Sequence, residues 1–131
     1  MNLLALDTNA LIRFLRDDGE VAAVFSRYDR LLIPAATDAE FRTGLELASK
    51  RGRTVLAQYE EFLRLDSVVF AASDERVSSR YAELTRYLLK TGKPIPSNDI
   101  WIASTALVHN AALCSGDAHF NCVPLLRIEK I

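Results

Sequence analysis

Short apolar segments alternate with longer stretches of helical periodicity along this sequence, and the alternation constrains the fold more than any other feature. The apolar segments occupy residues 3–6, 31–33, 67–71, 111–114 and 125–128. The helical stretches occupy residues 10–15, 37–50, 54–65, 74–90 and 97–107. Strands that alternate with helices form a parallel sheet covered by helices on both faces. The sequence therefore predicts an α/β fold, a single three-layer α/β/α domain over residues 1–131 with a mainly parallel sheet of about five strands.

The composition fits an ordinary globular domain and excludes several other classes. Half of the 131 residues are hydrophobic and a quarter are charged, which excludes a disordered chain. The two cysteines, Cys114 and Cys122, are too few for a disulfide framework. The first apolar segment is too short for a signal peptide, and no apolar run approaches the roughly 18 residues of a transmembrane helix. We therefore expect a cytoplasmic protein that has no membrane partner.

Four acidic residues are predicted to lie at one edge of the sheet. Asp7 and Asp117 follow the first and fourth apolar segments, and Glu40 and Asp99 fall near the beginning of helical stretches. Ligands of such sheets bind outside the carboxyl ends of the strands. Taken singly, each residue also fits a structural role. These roles are a helix cap for Asp7, a Thr37-x-x-Glu40 capping box for Glu40, a helix-dipole interaction for Asp99 and a turn for Asp117.

Roles in caps and turns do not require four carboxylates to converge. The convergence of these four carboxylates therefore predicts a divalent metal ion. Clustered like charges repel and raise one another's pKa unless a cation neutralises them. Ligand sets made only of oxygen suit hard ions, chiefly Mg²⁺ or Mn²⁺. Such an ion polarises a phosphoryl oxygen and activates water. The predicted chemistry is therefore hydrolysis of a phosphate ester.

The residues around these acids resemble the sequence blocks of PIN-domain ribonucleases. The four blocks are LDTN with a following Leu-Ile at residues 6–12, AEFxxG at 39–44, NDIWIA at 98–103 and CSGDAHF at 114–120. They occur in the family's order and approximate spacing over nearly the whole chain. In length and in the absence of an added domain, the chain looks most like the VapC-type toxins of bacterial toxin–antitoxin pairs.

This resemblance implies a PIN-like fold and a metal-dependent endoribonuclease. The acidic quartet that holds Mg²⁺ or Mn²⁺ would be Asp7, Glu40, Asp99 and Asp117, with one carboxylate, for example Glu40, orienting the attacking water or accepting its proton. Thr8, Asn9 and Ser115 would orient the ligands or bound waters, although turn and cap roles explain them equally well. Members of the family cut RNA internally, usually transfer or ribosomal RNA. Many members form homodimers. A cognate antitoxin inhibits them by placing its tail in the active-site groove, and the antitoxin is the component that binds operator DNA.

Three further residues are weighed for a role in the site. Some family members carry an acid two residues after the last aspartate, where this chain has His119. His119 could approach a phosphate or transfer a proton, but we interpret it as a partly exposed residue beside Phe120. Arg13 and Arg42 are candidate RNA contacts because each lies near a predicted acidic ligand, and Arg42 could equally pair with a neighbouring carboxylate.

Two other functions remain open on the sequence alone. The first is a PIN-like module that binds RNA or protein without cutting, and the second is a DNA-cutting nuclease of the same fold. A haloacid-dehalogenase-type phosphatase is disfavoured because the pattern Asp-x-Asp-x-Thr does not follow the first strand. The formal net charge of −1 does not exclude nucleic acid. Setting the four acids aside as metal ligands leaves 16 basic against 17 − 4 = 13 acidic side chains.

Overall fold

The computed structural model describes residues 2–131, which contain a five-stranded sheet. Its strands are β1 (Leu3–Leu6), β2 (Arg30–Pro34), β3 (Val68–Ala71), β4 (Ala112–Ser115) and β5 (Ile128–Lys130). The strand order is β3-β2-β1-β4-β5, and every adjacent pair is parallel. The predicted α/β class and parallel sheet are confirmed.

Six α-helices and one 3₁₀ helix complete the described part of the chain. They are α1 (Thr8–Leu15), α2 (Gly19–Phe25), α3 (Ala35–Leu47), α4 (Arg51–Leu63), α5 (Glu75–Lys90), α6 (Ser97–Val108) and the 3₁₀ helix Ala118–Cys122. Among these, no helix has the length and apolar character needed to cross a membrane.

Side chains of the central strand alternate between two apolar cores. Leu4 and Leu6 are fully buried against α1, α2, α3 and α4, whereas Ala5 is buried on the other face with α5 and α6. This alternation follows from the two-residue period of a strand, and it requires apolar residues at every position of β1. The result is the predicted three-layer arrangement, with helices on both faces of the sheet.

The sheet edge that carries the acidic residues is a topological switch point. From β1 the chain first adds β2 and β3 on one side, and it then returns through α5 and α6 to place β4 on the other side. The backbone amide of Asp7 donates to the carbonyl of Cys114 at 3.1 Å, which joins the carboxyl ends of β1 and β4. Crevices for ligands form at such points because the crossing connections diverge there.

Two details of α3 differ from the sequence prediction. The helix covers Ala35–Leu47 instead of residues 37–50, because Pro34, with φ −60°, directly precedes it. Thr37 is therefore inside the helix, and its hydroxyl donates to the carbonyl of Leu6 at 2.7 Å. The predicted Thr37-x-x-Glu40 capping box is wrong, since the threonine ties α3 to the end of β1 instead of capping the helix.

Three other elements also differ from the sequence prediction. Helix α4 covers Arg51–Leu63 instead of residues 54–65. The fifth strand covers Ile128–Lys130 instead of residues 125–128, because Leu125 adopts φ 66° in an exposed turn before the strand. The sequence prediction omitted α2, whose N-terminus is capped by the Asp18 carboxylate accepting from two backbone amides.

Candidate active site

Asp7 lies at the carboxyl end of β1 and is the N-cap of α1. Its carboxylate accepts a hydrogen bond from the backbone N–H of Thr8 at 2.7 Å and another from the hydroxyl of Ser115 at 2.6 Å. Only 6% of the residue is exposed. Burial raises the pKa of Asp7, the two hydrogen bonds oppose that rise, and the charges of Asp99 and Glu40 add to it. The cap that the sequence predicted is real, but it leaves an ionisable group buried near other acids.

Ser115, the last residue of β4, connects two of the four acids. While its hydroxyl donates to Asp7, its oxygen accepts the backbone N–H of Asp117 at 3.0 Å. Asp117 in turn begins the 3₁₀ helix by accepting the backbone N–H of His119 at 2.9 Å. The predicted turn at Asp117 is therefore present, and the same hydrogen bonds hold its carboxylate at the sheet edge.

Asp99 lies in the first turn of α6, and its side chain is 14% exposed. The Nδ1 atom of His119 is 2.9 Å from its carboxylate and 3.2 Å from that of Asp117. Burial raises the pKa of Asp99, the hydrogen bond from His119 lowers it, and the charges of Asp117 and Glu40 raise it further. His119 is half exposed, as predicted from the sequence, but it faces two of the acids.

Glu40 lies on the exposed side of α3, where Asn98 positions it. The Asn98 side-chain amide donates to a Glu40 carboxylate oxygen at 2.5 Å, although the two residues are 58 positions apart. Sequence reasoning assigned Asn98 no role beyond its place in the third block. Its position directly before Asp99 was the available signal, because an amide beside one acid at a helix N-terminus can reach a second acid.

The four acids Asp7, Glu40, Asp99 and Asp117, here called the acidic cluster, thus share one edge of the sheet. The charges of Asp99 and Glu40 act on Asp7, and those of Asp117 and Glu40 act on Asp99. Within the described residues, no lysine or arginine forms a salt bridge with any of the four. The cluster is an anionic site whose repulsion a cation would relieve.

The residues present fit a divalent ion. Carboxylate oxygens of Asp99 and Asp117 and a ring nitrogen of His119 lie within 4.8 Å of one another. The hydroxyl of Thr8 is buried without a hydrogen-bond partner among residues 2–131, directly after Asp7. A buried hydroxyl normally has a partner, and a water bound to an ion in this cluster would supply one. Asn9 is exposed on the first turn of α1.

The two candidate RNA-contacting arginines are paired with acids outside the cluster. Arg13 contacts Asp18 at 2.8 Å and Glu20 at 3.5 Å. Arg42 contacts Asp38 at 3.0 Å and lies over the ring of Tyr59. Arg42 therefore has the neighbouring carboxylate that the sequence offered as its alternative partner.

A groove of about 770 Å³ runs from the acidic cluster between α1, α3 and α4. Its polar end contains Thr8 and Glu40. Apolar side chains and backbone line most of the remainder, including Ile12, Gly44 and Val55.

Comparison with known proteins agrees with this geometry. The family model described as "PIN domain" matches residues 4–125. Ribonuclease VapC1 of Haemophilus influenzae strain R2866 is 31% identical over 113 residues, which cover 82% of this chain and 81% of the relative.

Solved structures have the same fold. VapBC-1 from nontypeable Haemophilus influenzae matches with a TM-score of 0.85 and 26% identity, over 98% of this chain and 97% of the other. VapBC-5 from Mycobacterium tuberculosis, a member of the VapBC family of toxin–antitoxin systems, matches with a TM-score of 0.76 and 23% identity over the whole of both chains. The match of the family model to residues 4–125 and the 31% identity to Ribonuclease VapC1 show that the chain belongs to the PIN-domain family.

Proposed function

We propose that this protein is a metal-dependent endoribonuclease and the toxin component of a toxin–antitoxin pair. The observation that carries the proposal is the acidic cluster, which gathers four carboxylates at the carboxyl ends of β1 and β4 with no paired arginine or lysine in the described residues. The matching family and the 31% identity to a protein named Ribonuclease VapC1 support RNA as the substrate. The resemblance of the sequence blocks to those of PIN-domain ribonucleases further implies that the substrate is transfer or ribosomal RNA.

In this proposal Asp7, Asp99 and Asp117 hold Mg²⁺ or Mn²⁺, with Glu40 at the rim of the same site. The bound ion supplies Lewis-acid polarisation of a phosphoryl oxygen and lowers the pKa of a coordinated water. Ser115 holds the side chain of Asp7 and the backbone of Asp117 in place through its two hydrogen bonds. Thr8 contributes its unpartnered hydroxyl to bound water.

Glu40 is the carboxylate best placed to orient water. It is exposed, so its carboxylate reaches solvent, and Asn98 fixes one of its oxygens while the other remains available. A carboxylate held in this manner can accept a proton from an attacking water within hydrogen-bond distance. We propose this role for Glu40 in hydrolysis of the RNA phosphodiester bond.

Cleavage assays test the proposal. Purified protein is incubated with labelled total RNA and with single- and double-stranded DNA, in Mn²⁺ or Mg²⁺ and with chelator. We expect RNA cleavage that needs the ion and is abolished in Asp7→Asn and Asp99→Asn. The exposed Asp66 lies outside the cluster, so Asp66→Asn is the matched control and should retain activity.

Three outcomes would contradict the proposal. DNA cleavage without RNA cleavage would favour the DNA nuclease of the same fold. RNA binding without cleavage of any RNA pool would favour a non-catalytic PIN-like module. Equal cleavage by the unmodified protein and both cluster variants would refute the assignment of the site.

We also propose that an antitoxin segment occupies the groove between α1, α3 and α4. The groove ends at Glu40, so a segment lying in it would also cover the acidic cluster. Gly44 is exposed in this groove, and a Cβ built there meets no heavy atom within 4 Å. Gly44→Trp should therefore fill the groove and weaken binding of a co-expressed antitoxin.

Leu47→Trp is the matched control for this experiment. Leu47 lies on the same helix and is 84% exposed, but it does not line the groove. Equal loss of antitoxin binding in both variants would contradict the groove assignment. Following the same resemblance, we propose that the protein is a homodimer that acts in the cytoplasm and reaches DNA only through the antitoxin, and sedimentation measures its oligomeric state.

A further inference from the structure

The ring of His119 occupies a defined position between two acids of the cluster. Its Nδ1 atom is 2.9 Å from the nearer Asp99 oxygen and 3.2 Å from the nearer Asp117 oxygen. The backbone holds it there, because the N–H of His119 donates to Asp117 and the next residue, Phe120, is fully buried in the core. The backbone of His119 is thus anchored beside the cluster, and its half-exposed imidazole lies against two of the acids.

These separations match those between ligands of a single ion. Two ligand atoms at right angles and about 2.1 Å from an ion lie about 3.0 Å apart. The two distances from Nδ1 are close to that value, and all three candidate ligand atoms lie within 4.8 Å of one another. An ion could therefore bind with little movement of the ring.

We propose that His119 is a nitrogen ligand of the divalent ion and that it makes the site prefer Mn²⁺ to Mg²⁺. This inference rests on the proposed function, since it concerns the ion that the acidic cluster would hold. Mg²⁺ takes oxygen ligands almost exclusively, whereas imidazole suits transition metals. A site of carboxylates alone gives little such discrimination, so one imidazole changes the selectivity of the whole cluster.

The competing explanation is that His119 only donates a hydrogen bond that orients Asp99 and Asp117. Both explanations predict lower activity after substitution, so activity cannot separate them. Direct bonding to Mn²⁺ has its own signature, because ligand nitrogen couples magnetically to the unpaired electrons of the ion. Pulsed electron paramagnetic resonance detects this coupling without substrate.

The sequence offers a matched control, since the chain has two histidines. The ring of His109 lies 2.9 Å from the carbonyl of Thr105 at the C-terminal end of α6. Asp99 is in the first turn of that helix, and at 1.5 Å per residue the two positions are about 15 Å apart. The experiment therefore compares the unmodified protein with His119→Asn, His119→Asp and His109→Asn, each checked for folding by circular dichroism.

We expect the unmodified protein and His109→Asn to show nitrogen coupling to bound Mn²⁺, and both His119 variants to lack it. In calorimetric titrations with each metal alone, His119→Asp should lower the ratio of Mn²⁺ to Mg²⁺ affinity by about tenfold, because the substitution replaces the nitrogen ligand with an oxygen ligand. Mn²⁺ binding without nitrogen coupling and with an unchanged ratio would overturn the role of His119 and leave the proposed function standing. Absence of Mn²⁺ binding by the unmodified protein would overturn both.

Discussion

Removing the hydroxyl of Ser115 should loosen the acidic cluster without removing any acid. The hydroxyl is buried, donates to Asp7 at 2.6 Å and accepts from the backbone of Asp117 at 3.0 Å. Ser115→Ala deletes both hydrogen bonds and leaves one Asp7 oxygen without that partner. The substitution is small, so its effect comes from the lost hydrogen bonds more than from a cavity.

The expected cost follows from the kinds of bond lost. A hydrogen bond to a charged group contributes about 1.5–3 kcal/mol and a neutral one about 0.5–1.5 kcal/mol. Because neighbouring bonds are not additive, we expect the free energy of unfolding to fall by about 2–3 kcal/mol at neutral pH. For a domain of this size, about 1 kcal/mol corresponds to roughly 4 °C, so Tm should fall by about 8–12 °C.

The pH dependence of this loss has a defined sign. The bond from Ser115 lowers the pKa of Asp7 because it favours the charged carboxylate. Its contribution is therefore present at pH values where Asp7 is ionised and is lost as the pH falls and Asp7 becomes protonated. The difference in Tm between Ser115→Ala and the unmodified protein should be larger at neutral than at acidic pH.

Ser104 supplies the control for this experiment. It is as deeply buried as Ser115, but its hydroxyl has no hydrogen-bond partner within residues 2–131. Ser104→Ala should leave the free energy of unfolding unchanged or raise it, since an unpartnered buried hydroxyl is unfavourable. Ser115→Thr keeps the hydroxyl and should retain Mn²⁺ binding, whereas Ser115→Ala should weaken it by about 10–100-fold. Equal Tm and equal Mn²⁺ affinity for Ser115→Ala and the unmodified protein would refute the reasoning.

Three shorter predictions concern the same site. First, burial raises the pKa of Asp99 above its ordinary value of 3.8, so the unfolding free energy of the metal-free protein should fall as the pH rises through the raised pKa. Asp99→Asn has no carboxylate to ionise, so it should not show this fall in unfolding free energy. Denaturant titrations should therefore find the variant more stable than the unmodified protein only at pH values above the raised pKa of Asp99. Second, Mn²⁺ at about 100 times its dissociation constant should stabilise the unmodified protein by about 2.7 kcal/mol, and thermal melts of Asp7→Asn should show a much smaller gain. Third, Asn98→Ala frees Glu40, so single-turnover cleavage should slow by about 10-fold or more, while Mn²⁺ affinity measured by calorimetry changes less than in Asp99→Asn. An unchanged cleavage rate in Asn98→Ala would show that Glu40 does not need its amide partner.

Local patterns in the sequence were sufficient for the layers of the fold and for two of the acids. A continuous apolar run such as Leu3–Leu6 is buried on both faces only within a covered parallel sheet, which made the architecture predictable. Asp7 and Asp117 follow strands directly, so their place at the carboxyl edge followed from the strand assignment. Glu40 and Asp99 required the further condition that α3 and α6 begin at that edge, an expectation that followed from the predicted parallel sheet and that the resemblance to the PIN family supported.

Some local structure failed to follow from the same patterns. The Thr37-x-x-Glu40 spacing matches a capping box, but Pro34 starts the helix earlier and Thr37 finds its partner in the carbonyl of Leu6. Leu125 begins an apolar segment that predicts a strand, yet the turn before β5 places it at φ 66° in solvent. In both cases a tertiary or backbone constraint outweighed the local pattern.

The sequence by itself determined the parallel sheet and its two apolar faces, because these depend on short-range periodicity. It also predicted the four acids, from their positions after strands or near the beginning of helices. Only the tertiary structure decided which polar groups meet those acids. Asn98 reaches Glu40 across 58 positions, Ser115 reaches Asp7 across 108, and His119 reaches Asp99 across 20. Such contacts depend on how separate helices and strands dock, since distances of a few ångströms between side chains are fixed by packing and leave no periodic signal in the sequence.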